Sequence, residues 1–243
     1  PPSMYKGLHV QACIPAYNEE SKIGEVVRRM PRDVIDEVLV VDDGSTERTA
    51  EVARELGARV VSLDAVMGVG YAIRTGFEDA RKHGFDVIVL VAGNNKDYPE
   101  EIHQLLDPVP DEACDFVIGS RFLKGGGLGG DMPFYRKIAT RMHPRLLGLF
   151  CGKKISESTN GFRAIRLSIF DDERINLHQK WLEAYELEVY LLMKVLKLGY
   201  RHKEVPCTKI YPPKKLGITK MRPFVDWWKI LRPIFLVGFG LRR

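Results

Sequence analysis

Apolar positions in the first half of the chain cluster into short runs, separated by longer stretches where they recur at helical spacing. The runs are Val10–Ala16 (VQACIPA), Val38–Val41, Ala58–Leu63, Val87–Val91 and Phe116–Ser120. Each is four to seven residues long and predicts a strand, and Val38–Val41 and Val87–Val91, wholly apolar and rich in β-branched side chains, predict strands buried within the sheet. Between them the pattern predicts helices near Ile23–Met30, from a Ser45 or Thr46 cap to about Leu56, from Gly68-Val69-Gly70 to about Lys82, and from Pro99-Glu100-Glu101 onward. Strand and helix alternating at this spacing give βαβ units and a parallel sheet. Right-handed crossovers then bring the loops after the strands to one edge, where ligands of open α/β sheets bind. Tyr17-Asn18-Glu19, Asp42-Asp43 and Asn94-Asn95 are therefore expected to converge.

The second half is less regular. Lys124–Gly130 (KGGGLGG) predicts a mobile glycine-rich connection, and Tyr135–Phe150 a helix. Ser158–Arg163 predicts a turn feeding a short strand, Leu182–Leu198 an amphipathic helix ended by Gly199, and Tyr200–Pro206 another strand. The last apolar run, Ile234–Leu241, is far shorter than the roughly 18 residues a spanning helix needs. Trp227 and Trp228 stand beside lysines and arginines. That pattern fits a helix lying on a membrane surface and equally a terminal helix packed on the domain.

Composition narrows the class. The chain has 243 residues, 45% of them hydrophobic, enough for one large α/β domain or two small ones. The four cysteines, Cys13, Cys114, Cys151 and Cys207, form no CxxC pair, and the six histidines show no HxxxH or HExxH spacing. Free thiols, a reducing compartment and no structural zinc or histidine metal site are expected. Net charge is +5, unevenly distributed: from Lys194 to Arg243 there are 13 Lys/Arg against Glu204 and Asp226, so this end carries +11 and the rest −6. Such asymmetry points the C-terminal end at phosphates, a membrane surface or nucleic acid, unless it is simply a solvated tail. No recognition fold accompanies the basic residues, which argues against nucleic acid.

Carboxylates at strand ends accept hydrogen bonds from ribose hydroxyls or a base NH, which nominates Asp42, Asp43 and Glu19. Gly68 and Gly70 beside a helix start allow close approach of a phosphate. A dinucleotide site is disfavoured: MGVGYAIRTG has Ile73 where a third glycine belongs and follows the third strand, not the first.

PAYNEE (Pro15–Glu20), VVDDGST (Val40–Thr46), GSRF (Gly119–Phe122), STNGFRA (Ser158–Ala164) and ELEVYLLMKVLKLGYRHKEVP (Glu186–Pro206) together resemble family 2 glycosyltransferases. The branch most similar contains dolichol-phosphate mannose synthase and bacterial polyprenyl-phosphate glycosyltransferases. Lys214–Lys220 is similar to that branch's basic RxxGxSK element. The resemblance covers roughly Val10 to Lys220. It implies a GT-A fold, a Rossmann-like, mostly parallel α/β sheet flanked by helices with a C-terminal acceptor-side extension. The expected layout is a catalytic domain over 1–222, its nucleotide half at about 8–122 and acceptor half at about 123–222, then an amphipathic tail over 223–243.

The resemblance also implies inverting transfer of a sugar from a UDP- or GDP-sugar to a polyprenyl or dolichyl phosphate, at the cytoplasmic membrane face. Pro15, Ala16, Tyr17, Glu19 and Asp43 would hold the nucleoside, and with Asp42, Gly68, Gly70, Asn94 and Asn95 they make up the expected nucleotide-sugar site. Arg121 and Arg163 would sit near the diphosphate or acceptor phosphate, and Lys215 and Lys220 would close over phosphates. A phosphate acceptor is already anionic and needs no base, whereas a hydroxyl acceptor needs one, for which Asp97 and Glu186 are candidates. The family's DxD metal motif should end the fourth strand. Alignment on Pro99-Glu100 puts Ala92-Gly93-Asn94 there, leaving weak Mg²⁺ or Mn²⁺ binding through Asn94 and the diphosphate, or no metal, with cations from the C-terminal tail in its place. Val69 stands where many relatives carry lysine. A soluble transferase acting on a hydroxyl, or a non-catalytic nucleotide-sugar binder, are the competing readings.

Overall fold

In the computed structural model, residues 4–211, 221–222 and 224–242 are described. Strands β1 (Val10–Ala16), β2 (Glu37–Asp42), β3 (Arg59–Ser62), β4 (Val87–Leu90) and β5 (Phe116–Ser120) form where the apolar runs predict them. With β7 (Arg163–Arg166) and β8 (His202–Pro206) they make one seven-stranded sheet, ordered β3-β2-β1-β4-β7-β5-β8. All pairings are parallel except those of β7, which runs antiparallel between β4 and β5. The sheet therefore crosses the expected boundary between nucleotide and acceptor halves.

Period-two alternation sorts strand residues onto two faces. Cys13, Leu39, Ile88 and Phe116 join one core with helices α3 (Val69–Lys82) and α7 (Glu186–Leu198). Ala12, Ile14, Val38 and Val89 join the other with α1 (Glu20–Arg28), α2 (Thr49–Glu55), α4 (Ile102–Leu106) and the short α5 (Pro108–Asp111). Burial on both faces is why these strands carry apolar runs rather than alternation.

Three expectations need correction. Ser45 and Thr46 do not cap α2, which starts after Arg48 without a side-chain cap. Instead the Ser45 hydroxyl accepts from the Asn18 amide at 2.9 Å and the Thr46 amide donates to Asn18 Oδ1 at 2.9 Å, tying the loops after β1 and β2 together. The glycine-rich stretch is not a loose connection. Gly127–Gly130 forms β6, paired in parallel with β9 (Thr208–Tyr211). Nor is α7 amphipathic: Glu186 to Leu196 is buried all round except Glu188, because α7 lies under α8 (Val225–Gly238). Gly199 does close α7 in the left-handed region, at φ +80°.

Helix α6 (Phe134–Cys151) runs alongside α8. The Tyr135 ring meets that of Trp227 tilted, with centres 5.4 Å apart, and Phe150 meets Phe235 and Phe239 edge-on. The expected tail helix is thus packed on the domain, with Pro233, Ile234 and Val237 buried, while Trp228 remains exposed. No helix among the described residues is long and apolar enough to cross a membrane. All four cysteines are free thiols. Lys215 and Lys220 lie outside the described residues.

Candidate active site

The register of the sheet brings the predicted loops together. Ala16 pairs with Asp42 across β1 and β2, and the Asp43 amide donates to the Ala16 carbonyl at 2.8 Å. On the other side of β1, Val91 N donates to the Cys13 carbonyl at 3.0 Å. A Cβ added at Gly93 would lie 3.2 Å from that of Ala16 and 3.3 Å from the Pro15 carbonyl. Pro15, Ala16, Tyr17, Glu19, Asp42, Asp43 and Asn94 therefore share one edge of the sheet. Asn18 and Asn95, on two of these loops, both hold left-handed backbones at φ +50° and +54°, which asparagine tolerates better than most residues. The Asn95 side chain accepts from Arg29 at 2.9 Å, and Tyr17 stands at the rim.

Asp42 and Asp43 are both buried. Asp43 accepts from the amides of Met67 (2.7 Å) and Gly68 (2.9 Å), which ties the loop after β2 to the start of α3. Burial raises its pKa, partly offset by those two amides. Close approach explains Gly68 and Gly70, and the neighbour is backbone: a Cβ at Gly70 would fall 2.2 Å from the Leu182 carbonyl oxygen, and one at Gly68 2.3 Å from that of Glu183. These glycines seat the segment leading into α7.

Beyond β4, the Asp97 carboxylate is buried and engaged at both oxygens. It accepts from the Ala92 amide at 3.1 Å and from Lys209 Nζ at 2.5 Å. Lys209, brought by β9, also donates to Asn160 at 2.9 Å, and the Ile210 amide donates to the Lys96 carbonyl at 2.9 Å. Asn94 Oδ1 accepts from the Lys96 amide at 3.2 Å. Lys96 itself is 8% exposed, with its ammonium 5.1 Å from the centre of the Tyr211 ring. Arg136 lies over the same ring at 5.8 Å. Burial, then the charges of Arg136, Lys209 and Lys22, push the Lys96 pKa down to about 8, with Glu19 opposing.

Arg121 and Arg163 are buried struts. Arg121 grips Glu157 through two hydrogen bonds of 2.7 and 2.8 Å and also reaches Thr159 and the Tyr211 hydroxyl. Burial opposes charge on both partners, and their mutual attraction outweighs it: Arg121 is held above its ordinary range and Glu157 below. Arg163 donates only to backbone, at Asn160, Ser158 and Glu188; burial lowers its pKa. Glu186, at the start of α7, is buried and ion-paired with Arg232 of α8 at 2.5 Å. Burial raises its pKa, opposed by Arg232 and Lys229. A cavity of about 520 Å³ opens between the end of β5 and α6, lined among others by Arg121, Phe122, Leu128, Arg141 and Arg145.

Glu157, Lys96, Lys209, Tyr211 and Arg136 were not singled out from the sequence. Lys96 had a signal, since it lies inside the loop where the metal motif belongs. Glu157 and Lys209 had none, because only the tertiary fold gives them partners.

A divalent cation wants several oxygen ligands, some of them charged. Ala92 offers a methyl group, the Asn94 oxygen already accepts from Lys96 N, and Asp97 carries the Lys209 ammonium. Among the described residues no group of three or more His, Cys, Asp or Glu could hold a metal ion. The residues present at this strand end do not fit a divalent metal.

The description "Glycosyl transferase family 2" matches residues 11–174. The chain is 31% identical to undecaprenyl-phosphate mannosyltransferase from Micrococcus luteus, over 88% of each chain. It is 30% identical to polyprenol monophosphomannose synthase from Mycolicibacterium smegmatis, over 86% of this chain and 79% of that one. Glucosyl-3-phosphoglycerate synthase from Mycobacterium tuberculosis, solved with Mn²⁺, UDP and phosphoglyceric acid, superposes with a TM-score of 0.67 at 20% identity, covering 98% of this chain and 81% of that chain. The fold is the GT-A glycosyltransferase fold, and the chain belongs to glycosyl transferase family 2.

Proposed function

We propose that this glycosyltransferase moves a sugar, with inversion, from a nucleoside diphosphate sugar to a polyprenyl or dolichyl phosphate at the membrane surface. The observation that carries the acceptor class is the state of the two candidate bases. Asp97 is hydrogen-bonded to Lys209, and Glu186, buried with neither oxygen hydrogen-bonded, faces the Arg232 guanidinium as an ion pair. A hydroxyl acceptor would need a base within hydrogen-bond reach to take its proton. A phosphate oxygen attacks the sugar C1 unaided: the new C1–O bond forms on one face as the C1–O bond to the diphosphate breaks on the other, and no proton moves. The acceptors named for the two mannosyl-transferring relatives are of this kind.

In this reading Pro15, Ala16, Tyr17, Glu19, Asp42 and Asp43 hold the nucleoside, with Asn94 and Asn95 beside the diphosphate. Asp43 also anchors the start of α3, while Gly68 and Gly70 admit the segment that closes the site. Arg121 and Arg163 keep the walls of the acceptor side in position. Lys215 and Lys220 complete the phosphate contacts, and the cavity edged by Arg141 and Arg145 suits an anionic head group.

A membrane face is supported by α6. Its exposed positions Phe134, Ile138, Met142 and Leu149 repeat at helical spacing, with Arg141 and Arg145 among them. Apolar side chains flanked by arginines suit the interface of an anionic bilayer. Phe224, Trp228 and Phe239 of the adjoining C-terminal helix region are exposed as well.

Transfer assays with UDP- and GDP-sugars against undecaprenyl phosphate, dolichyl phosphate and the corresponding unphosphorylated alcohols test the reading. The phosphates are expected to be glycosylated and the alcohols left untouched. Glycosylation of a free hydroxyl acceptor with the lipid phosphates inert would overturn it in favour of a soluble hydroxyl transferase.

A further inference from the structure

We infer that this chain holds its nucleoside diphosphate without a divalent cation, the ammonium of Lys96, seconded by Arg136 and Lys22, occupying the electrostatic role of the metal. The inference rests on the donor reading above and goes beyond it. Three observations lead here. The end of β4 lacks the ligand set, as Ala92, Asn94 and Asp97 are respectively apolar, amide and salt-bridged. Lys96 emerges from that same loop, two residues after Asn94, and is almost fully buried at the sheet edge shared with Glu19 and Asp43.

The third observation is the local charge. Lys22, Lys96, Arg136 and Lys209 gather around this loop. Of the carboxylates in the group, Glu19 pairs with Lys22 at 3.0 Å and Asp97 with Lys209 at 2.5 Å. Among the described side chains of this group, four are cations and two are carboxylates. A buried cationic surplus is unfavourable in the empty protein and favourable once a diphosphate enters, since like charges held together in low dielectric raise the free energy until an anion offsets them. The Tyr211 ring attracts both Lys96 and Arg136. It is held in place by the hydrogen bond from Arg121 at 3.1 Å. Cations placed in advance against the leaving diphosphate also stabilise the negative charge that develops there as C1–O breaks.

The test is calorimetric titration of the full chain with UDP and GDP, and with uridine and guanosine as phosphate-free controls, in EDTA and then in Mn²⁺. The preferred nucleoside diphosphate is expected to bind equally well in both conditions. Lys96→Met should weaken its binding about tenfold or more, equivalent to about 1.4 kcal/mol, leave the matching nucleoside unchanged, and be largely rescued by Lys96→Arg. The triple variant Ala92→Asp/Asn94→Asp/Lys96→Gln should bind the diphosphate only with Mn²⁺. Binding by the parent chain that vanishes in EDTA and returns with Mn²⁺ overturns this inference and leaves the donor reading standing. So does an undiminished affinity in folded Lys96→Met. If the Met variant does not fold, the EDTA comparison on the parent chain decides alone. Failure of both diphosphates and both nucleosides to bind under either condition overturns the donor reading and this inference with it.

Discussion

At the scale of single residues, the wall of the site beside β5 is built from charged groups that satisfy one another before any ligand arrives. Glu157 shows this most clearly. It is fully buried, receives two hydrogen bonds from Arg121, and accepts from the amides of Ser158 and Thr159. Removing one partner of such a pair leaves an uncompensated buried charge, which costs about 3–5 kcal/mol. Glu157→Gln is therefore expected to lower the midpoint of thermal unfolding by roughly 6–20 °C, measured by circular dichroism. A variant melting within a degree of the parent would mean that Arg121 finds its compensation elsewhere. The motif GSRF could mark Arg121 as important but not say what it touches, because its partner lies 36 residues on. Gly70 misled in a related way. A glycine near a helix start suggests phosphate approach, yet only the tertiary packing reveals that the neighbour is the Leu182 carbonyl. What a residue type permits is written locally, and what occupies the space it leaves is not.

At the scale of elements, the strands that are buried on both faces were legible almost to the residue, β1 at Val10–Ala16 and β5 at Phe116–Ser120 among them. Their signal is an apolar run, and burial on both faces is what demands one. The β6–β9 ribbon was not legible, because Gly127–Gly130 has no strand propensity of its own and is a strand only through its pairing with Thr208–Tyr211. The contact of α6 with α8 likewise depends on a residue with no local signature. His143 is buried on α6; in its neutral form Nε2–H donates to the Ile230 carbonyl of α8 at 3.2 Å while Nδ1 accepts from the Ser158 hydroxyl at 2.7 Å. Burial lowers its pKa below the ordinary value of 6.5; the charged groups felt there are Glu157, which opposes the shift, and Arg163, which adds to it. With the folded pKa lowered, the unfolded chain binds the proton first as pH falls below about 6.5. Stability present above that pH is lost on acidification toward the folded pKa. The parent chain is expected to lose thermal stability between about pH 7 and pH 5 more steeply than His143→Gln, which cannot titrate there. Parallel slopes for the two proteins in thermal melts across that range would sink this account of how α8 is held.

At the scale of the whole molecule, the excess of positive charge read from the last 50 residues is, among the described residues, partly folded inward. Lys209 is folded inward against Asp97, while Arg232 closes over Glu186 from the C-terminal helix. The outward-facing surface that remains is apolar as well as basic, and much of it belongs to α6, a helix the charge count alone did not single out. Phe134 and Leu149 are 76% and 78% exposed, with Ile138 and Met142 between them on the same face. Side chains this exposed contribute little to folding, so replacing them separates a surface role from a core role. In Ile138→Ser/Met142→Gln/Leu149→Ser each truncated side chain should forfeit on the order of 1 kcal/mol of insertion into the lipid interface. Partitioning onto anionic vesicles should then fall on the order of a hundredfold, with thermal stability in solution unchanged. Added salt should weaken the parent's binding through screening of Arg141 and Arg145 while leaving the apolar contribution. Vesicle flotation measures the partitioning and its salt dependence, and a thermal melt measures the stability. If the triple variant floats as well as the parent, the contact surface lies away from α6, and the exposed Phe224, Trp228 and Phe239 of the C-terminal region become the residues to replace.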